Sequence, residues 1–467
     1  MDIKAKAAFR QETPGSLPRI LGFWDITGIV VGCVIGSGIF IVPAAVAAGV
    51  QYPLLILAVW AVSGVLCFFG AVTFAELGAA YPHAGGMYVY LREAYGPLIA
   101  FLFGWTLFLV IDSGSIATLA VSFSSKYLPY FFPVTPLMSK VIALLFVAFL
   151  VTVNYVGTRW GALLQNFLTL IKFGAILAVC ATVLIFAKGN AGNFVTPAPT
   201  TFSWDLITKM GIALVATFWA YKGWEVATFS AGEIKNPEKN LPAGLLISLS
   251  TVIFLYLLTN LAYLYAFPAS EIAKSDRIAS DAMSFAVGPV GASIIAFTIL
   301  FSITGAANSN LLCTPRVFFA MASDGLFFKK IAAVHPRFLT PHVSIVAIGL
   351  WAVGLSLSGT FEQLFTYVIF GQWIFFGLTA GAVFILRRKR PGLPRPYKTW
   401  GYPVTPAIFI LAAFLISVNS LINQFWNAFA GLAIIFLGVP AYMYWHRKKK
   451  AALQATRADE KSRLAEN

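Results

Sequence analysis

The chain of 467 residues is 59% apolar and only 11% charged, against roughly 25% charged residues in soluble domains, and its mean hydropathy is +0.81. This composition excludes a water-soluble globular protein and predicts that membrane lipid surrounds most of the chain. The net charge of +15 does not indicate a nucleic-acid partner, because the lysines and arginines form short clusters between apolar runs. All four cysteines fall inside apolar runs, which excludes a disulfide framework.

Long apolar windows recur along the chain. A membrane-spanning helix needs about 20 predominantly apolar residues to cross a hydrocarbon core of roughly 30 Å. Twelve windows meet this requirement, and their continuous apolar character favours helices over the alternating strands of a barrel. In chain order the predicted spans are 21–49, 53–80, 97–125, 137–156, 160–187, 205–231, 241–267, 286–321, 343–359, 362–386, 403–421 and 423–446. The expected fold is therefore an all-α integral membrane protein.

The basic residues around these spans are distributed unevenly. Of the 33 lysines and arginines, 25 lie on the side of the amino terminus and only 5 on the opposite side. Because cytoplasmic segments carry the excess of Lys and Arg, both termini are predicted to be cytoplasmic, which requires an even number of spans. Residues 1–20 form a polar amino-terminal segment, and residues 447–467 form a charged tail that is expected to be disordered.

Two of the predicted spans carry helix-breaking residues at their centres. The first contains Gly36-Ser37-Gly38, and the sixth, five helices later, contains Tyr221-Lys222-Gly223. Paired interruptions at matching positions are typical of transporters built from inverted repeats, whose substrate site lies at the broken helices. The pattern predicts two five-helix halves of opposite topology, 21–187 and 205–386, followed by two extra helices in 403–446.

Several motifs, each at its expected place among the twelve spans, resemble those of the amino acid–polyamine–organocation (APC) superfamily, and the chain looks most like a bacterial member of its L-type amino acid transporter family. These motifs are Ile35–Phe40, Gly85–Leu91, Tyr95–Pro97, Phe218–Glu225, Gly232–Pro242, Asn310–Pro315, Ala320–Gly325 and Arg395–Lys398. The resemblance extends over nearly the whole chain. It implies a LeuT-like fold with discontinuous helices 1 and 6, a location in the cytoplasmic membrane, and alternating-access transport.

The resemblance assigns the interruption of the first span to the substrate carboxylate. Unwound backbone inside a membrane needs hydrogen-bonding partners, and an amino acid can supply them. The N–H groups of Ser37, Gly38 and Ile39, at the start of the second half-helix, are expected to bind the carboxylate, next to Ile35 and Gly36. A close contact between helices through small residues is the alternative interpretation.

The interruption of the sixth span is assigned to the substrate ammonium. The carbonyl groups of Phe218, Trp219 and Ala220 end a half-helix and are expected to accept hydrogen bonds from the ammonium, with Tyr221 and Lys222 completing the site. Trp219 stands where this family usually has an aromatic residue that closes over the substrate. The alternative is that Trp219 only packs against lipid or neighbouring helices.

Four of the charged side chains inside predicted spans form one intramembrane set, and an unpaired charge there costs roughly 2.5–3.5 kcal/mol on insertion scales. By resemblance, Lys172 occupies the position of sodium in related sodium-coupled transporters and reaches the unwound part of span one. Asp112, Lys222 and Glu225 bring the formal sum of this set to zero, which favours a neutral amino acid. Lys222 leaves an acidic substrate possible, and Asp112 a cationic one. A purely structural pair of Lys222 with Asp112 or with Glu225 is equally consistent.

The sequence thus predicts a secondary transporter for small neutral L-amino acids that is sodium-independent and works as an exchanger. A proton-coupled symporter, with Glu225 and Asp112 as proton carriers, is the first alternative, and a membrane sensor that binds an amino acid without moving it is the second. Asn308 and Ser309 of span eight either face the site or hold helices together.

Neither a cofactor nor a metal site is expected, and no nucleophile elbow or phosphate loop indicates an enzyme. Some animal L-type members are linked by a disulfide to a single-span heavy subunit through the loop between spans three and four. The corresponding segment, Lys126–Lys140, contains no cysteine, so no disulfide-linked partner is expected.

Overall fold

The computed structural model describes residues 17–36, 38–195, 203–358, 361–423 and 425–466. Within these ranges the regular structure is helical, apart from one isolated parallel bridge between Leu21 and Ile234. In chain order the helices are α1 Phe23–Val34, α2 Gly38–Val50, α3 Pro53–Ala80, α4 Met87–Tyr95, α5 Pro97–Tyr130, α6 Pro136–Val156, α7 Thr158–Phe186, α8 Trp204–Ala220, α9 Val226–Phe229, α10 Pro237–Ala266, α11 Ala269–Ile272, α12 Ile278–Val287, α13 Pro289–Ser323, α14 His342–Leu357, α15 Phe361–Lys389, α16 Val404–Asn423 and α17 Phe425–Glu466.

The helix lengths confirm a multi-pass membrane protein. Among the described residues, nine helices are long and apolar enough to cross a membrane, and α1 with α2, bent by 43°, forms a tenth if the pair is one span. At the predicted sixth and ninth spans, α8 and α14 have 17 and 16 residues. Because both are shorter than the roughly 20 residues of a full span, the twelve-span, five-plus-five topology stays a prediction.

Helix α1 lies among three long helices. α7, α10 and α13 all pack against it, while α8 packs against α2, and α3 runs along α10. The segments flanking the two broken helices are also joined, since the Leu21 N–H donates to Glu233 O and the Lys235 N–H donates to Leu21 O, both at 2.9 Å. These bonds hold the start of α1 next to the segment that follows α9.

The carboxyl-terminal tail differs from the sequence expectation. Residues 447–467 were expected to be disordered, but α17 continues as one helix of 42 residues as far as Glu466. The tail is rich in Ala, Lys and Arg and contains neither Pro nor Gly. These residues have high helix propensity, and the preceding apolar helix supplies the nucleus from which the tail helix extends.

Candidate functional site

The break between α1 and α2 lies where the first span was expected to unwind. α1 ends at Val34, and the Gly36 N–H donates to Val34 O at 2.8 Å, a turn that cannot belong to an α-helix. α2 begins at Gly38, so its first N–H groups have no partners within the helix. Ser37 lies outside the described residues. Gly38 and Ile39 stand at the positive end of α2, as the carboxylate assignment requires.

Side chains from three neighbouring helices bind the carbonyl groups that this break exposes. Lys172 of α7, fully buried, donates from Nζ to Gly32 O at 2.5 Å and to Ile35 O at 2.9 Å. Ser302 of α13 also donates to Ile35 O at 2.9 Å. Lys172 therefore reaches the unwound end of α1, where the sequence placed it.

A single tyrosine contacts both broken helices. The hydroxyl oxygen of Tyr256 in α10 lies 2.9 Å from Val34 O and 3.0 Å from Ala220 O. Its ring is fully buried against Trp60 and Tyr221. The sequence analysis missed Tyr256, because a tyrosine within a long apolar helix is not distinguished by any neighbouring motif.

The second break follows the end of α8. Residues 221–225 form a turn that depends on Gly223, whose φ of +114° strains any residue with a Cβ, and α9 then begins at Val226. The Lys222 N–H donates to Trp219 O at 3.1 Å. Ala220 O, which accepts from the Tyr256 hydroxyl at 3.0 Å, has a second lone pair with which it can accept a hydrogen bond from a ligand.

The two breaks face one central cavity of about 80 Å³, which α5 and α13 close on the other side. At roughly 10–15 Å³ for each water-sized group, this volume holds about five to eight such groups, comparable with a small amino acid. Five residues from the sequence prediction line it, namely Gly36, Gly38, Trp219, Ala220 and Lys222. The residues of the lining that the sequence analysis did not assign to substrate binding are Cys33, Val34, Ser115, Thr118, Leu119, Gly223, Ala306 and Asn310.

Other predicted residues lie beside the cavity without lining it. Phe218 is buried with its ring 4.8 Å from that of Trp373, and the Tyr221 hydroxyl donates to Trp60 O at 3.2 Å. Asn308 donates to Gly161 O and to Gln165 Oε1, and Ser309 donates to Ile29 O. The Asn308 and Ser309 contacts match the interpretation that these side chains hold helices together.

The predicted intramembrane charges separate into two groups. Asp112 follows a π-helical turn of α5 at Leu107–Ile111 and accepts a hydrogen bond from Thr314 Oγ1 at 2.5 Å. Lys222 Nζ lies 3.9 Å from Asp112 Oδ1 and donates to Ser115 Oγ at 3.0 Å. The structure thus brings Lys222 and Asp112 together, which is one of the pairings that the sequence left open.

Glu225 forms the second group. It is buried and accepts hydrogen bonds from the Gly223 N–H at 3.1 Å and from the Gln372 side-chain amide. Within the described part of the chain no lysine or arginine lies within ion-pair distance of it. The predicted alternative pair between Lys222 and Glu225 is therefore not formed.

Ion pairs join the helices at the predicted cytoplasmic end. Arg92 Nη1 lies 2.6 Å from Asp324 Oδ2, and the Tyr88 hydroxyl donates to the same oxygen at 2.8 Å. Burial and the Asp324 carboxylate raise the pKa of Tyr88 above its usual range, so Tyr88 stays a donor. Glu76 accepts hydrogen bonds from Arg387 at 2.6 and 2.9 Å.

The most buried ion pair joins Arg316 of α13 to Glu233. Their side chains are 1% and 0% exposed, with Nε 2.5 Å from Oε1. The Thr158 hydroxyl, at the start of α7, accepts from Arg316 at 2.7 Å and donates to Glu233 at 2.9 Å. This triad fixes α7 and α13 to the segment that follows α9.

Loss of this pair should weaken the fold strongly. Arg316→Met leaves the Glu233 carboxylate buried and unpaired, so we expect the free energy of unfolding to fall by about 3–5 kcal/mol. Lys209→Met is the control, since Lys209 and Asp205 form an exposed pair, with side chains 49% and 72% exposed, whose loss costs about 1 kcal/mol or less. Unfolding in detergent measures both variants, and similar small losses would contradict a structural role for the triad.

The described residues contain no cluster of three or more His, Cys, Asp and Glu side chains that could hold a metal ion. The polar groups of the central cavity are instead backbone N–H and C=O groups and the side chains of Cys33, Ser115, Thr118, Trp219, Lys222 and Asn310. Such a set can hold a small zwitterion in a fixed orientation without a cofactor.

Known proteins are similar to this chain over most of its length. The profile of the amino acid permease family matches residues 21–439. The serine/threonine exchanger SteT of Bacillus subtilis is 33% identical over 93% of this chain and 98% of its own length. The human cystine/glutamate transporter is 30% identical, with 94% and 89% covered, and the human b(0,+)-type amino acid transporter 1 is 30% identical, with 93% and 90% covered.

Proposed function

The chain belongs to the amino acid permease family of the APC superfamily, and we propose that it exchanges small neutral L-amino acids across the cytoplasmic membrane by alternating access. Its membrane helices and its family make it a multi-pass amino acid transporter rather than an enzyme. The observation that carries the proposal is the pair of broken helices, α1–α2 and α8–α9, which face a single central cavity.

In this proposal the backbone recognises the zwitterion. The carboxylate accepts hydrogen bonds from the N–H groups of Gly38 and Ile39, with Ser37, Ile35 and Gly36 completing that side of the site. The ammonium donates to the carbonyl groups at the end of α8. The dipoles of the two half-helices have the required directions, with a positive end for the carboxylate and a negative end for the ammonium.

Three further features support a neutral substrate and exchange. Lys172 places its Nζ at the unwound end of α1, where it donates to Gly32 O and Ile35 O, and this favours sodium-independent transport. Lys222 and Asp112 compensate each other beside the cavity, which favours a neutral amino acid over an acidic or cationic one. A relative that covers nearly the whole chain is named a serine/threonine exchanger.

Counterflow in liposomes tests this function. Purified protein should take up labelled small neutral amino acids faster when the lumen contains unlabelled amino acid, and a sodium gradient should not change the rate. Uptake that requires sodium would refute the role of Lys172. Tight binding without any uptake would instead identify a sensor.

A proton-coupled symporter is the second candidate, favoured by the buried Glu225 carboxylate, which no lysine or arginine of the described residues contacts. If Glu225 carries a proton, an inward proton gradient should accelerate uptake, and Glu225→Gln should remove that acceleration while counterflow continues. Asp112→Asn is the matched comparison, because Asp112 has an ammonium beside it. Uptake that does not respond to a pH gradient in the wild-type protein would exclude proton coupling.

The proposal includes the topology and the assembly. We place both termini in the cytoplasm and divide the chain into the two inverted halves, 21–187 and 205–386, with 403–446 as additional helices and 1–20 and 447–467 as cytoplasmic segments. The loop between α5 and α6 offers no cysteine for a disulfide-linked heavy subunit, so a single chain should transport. Activity of the purified chain alone in liposomes tests this.

A further inference from the structure

We propose that Lys222 selects the side chain of the transported amino acid, and that the preferred substrates carry a short hydroxyl side chain. This inference rests on the proposed function, because it concerns the same cavity. The backbone groups bind the carboxylate and ammonium that all amino acids share, so they cannot distinguish one side chain from another. Lys222 supplies that selectivity.

Lys222 is placed to donate a hydrogen bond to a ligand. It follows the end of α8 and lines the cavity next to Gly38 and Trp219. Its side chain is 18% exposed, whereas that of its partner Asp112 is 2% exposed. An ammonium has three donors, and within the described part of the chain its hydrogen bond goes to Ser115 Oγ. At least one donor can therefore serve a substrate side chain.

The neighbouring charges favour a neutral acceptor. Because Asp112 Oδ1 lies 3.9 Å from Lys222 Nζ, the ammonium is already compensated. A carboxylate side chain would add a negative charge close to Asp112 and the buried Glu225, and a cationic side chain would meet the ammonium of Lys222. A hydroxyl accepts the hydrogen bond without adding a charge.

A second, smaller cavity supplies the complementary acceptor. Lys222 and Trp219 line both cavities, and the smaller one, with a volume of about 10 Å³, has room for about one water-sized group. Gln372 also lines it, and its Oε1 is buried without a hydrogen-bond partner, since the amide nitrogen donates to Glu225. A hydroxyl group placed there accepts from Lys222 and donates to Gln372, which satisfies both side chains at once.

Matched substrate pairs test the inference on the wild-type protein. Serine against alanine and threonine against valine differ mainly by the hydroxyl, and kcat/KM for counterflow should be about ten- to a hundredfold higher for the hydroxyl member, the range for a hydrogen bond to a charged group. Equal values for both members would refute the inference and leave the proposed exchange of small neutral amino acids standing. A preference for aspartate would refute the inference and the neutral substrate together. Absence of exchange for all these amino acids would refute the proposed function itself.

A variant pair assigns the preference to Lys222. Lys222→Met keeps the length of the side chain but removes the donor, so the serine-to-alanine ratio should fall to about one. Lys209→Met, at the exposed start of α8, should keep the wild-type ratio. A Lys222→Met protein that retains the full serine preference would overturn the assignment. Because the substrate panel uses wild-type protein, the inference is testable even if this variant does not fold.

Discussion

Gly38→Ala should slow amino acid exchange by about 100-fold or more, because a displacement of about 1 Å at a site of fixed geometry costs this much. A Cβ on Gly38 would lie 2.9 Å from both Cα and Cβ of Ala220, closer than real Cβ contacts allow. The methyl group would therefore separate the start of α2 from the end of α8. Gly38→Leu should abolish substrate binding, since its side chain would also meet Trp219.

The control for this prediction is a glycine on a neighbouring membrane helix. Gly174 of α7 has no other atom within 4 Å of the position of its Cβ, so Gly174→Ala should leave exchange unchanged. Counterflow measures the rate, and ligand-induced thermal stabilisation in detergent measures binding. Full exchange by the Gly38→Leu protein would show that the substrate binds elsewhere.

Lys172→Met should reduce exchange by about tenfold or more. The methionine fills similar space but leaves the carbonyl groups of Gly32 and Ile35 without the ammonium that now binds them. Each unsatisfied buried carbonyl costs roughly 1–3 kcal/mol, although Ile35 O keeps its hydrogen bond from Ser302. The end of α1 should then leave the geometry that forms the substrate site, which counterflow detects.

A second variant disturbs the same contact while keeping the charge. A Cβ on Gly305 of α13 would lie 2.7 Å from both Cε and Nζ of Lys172, so Gly305→Ala should displace the ammonium and reproduce part of the Lys172→Met defect. Gly174→Ala is the matched control for Gly305→Ala, and Lys209→Met is the matched control for Lys172→Met. Normal exchange by both test variants would show that Lys172 is only a packing residue.

The sequence predicted the two interruptions because they depend on residue types that stand out within apolar runs. The glycines beside Ser37 and Gly223 after Tyr221 are poor helix formers in the middle of otherwise continuous spans, and Lys222 places a charge inside one of them. Lys172 stood out for the same reason, since a charge so far from a helix end needs a partner. The structure places its partners, Gly32 O and Ile35 O, at the first interruption.

The remaining cavity residues could not be predicted, because their roles depend on the rotation of each helix. Asn308 and Asn310 are two residues apart and so differ by about 200° around α13. Asn308 binds α7, while Asn310 lines the cavity. A helix that is apolar on all sides has no polar face to set this rotation, and only packing against α1 and α7 does so. The roles of Ser115, Thr118 and Tyr256 could not be predicted from the sequence for the same reason.

The most direct test of the substrate site is an experimental structure of the protein with a bound small neutral amino acid such as serine. We expect the carboxylate within hydrogen-bond distance of the N–H groups at the start of α2, the ammonium at the carbonyl groups that end α8, and the hydroxyl at Lys222. An amino acid bound outside the central cavity, or one whose carboxylate contacts Lys172 or Lys222 instead of α2, would contradict recognition by the two broken helices.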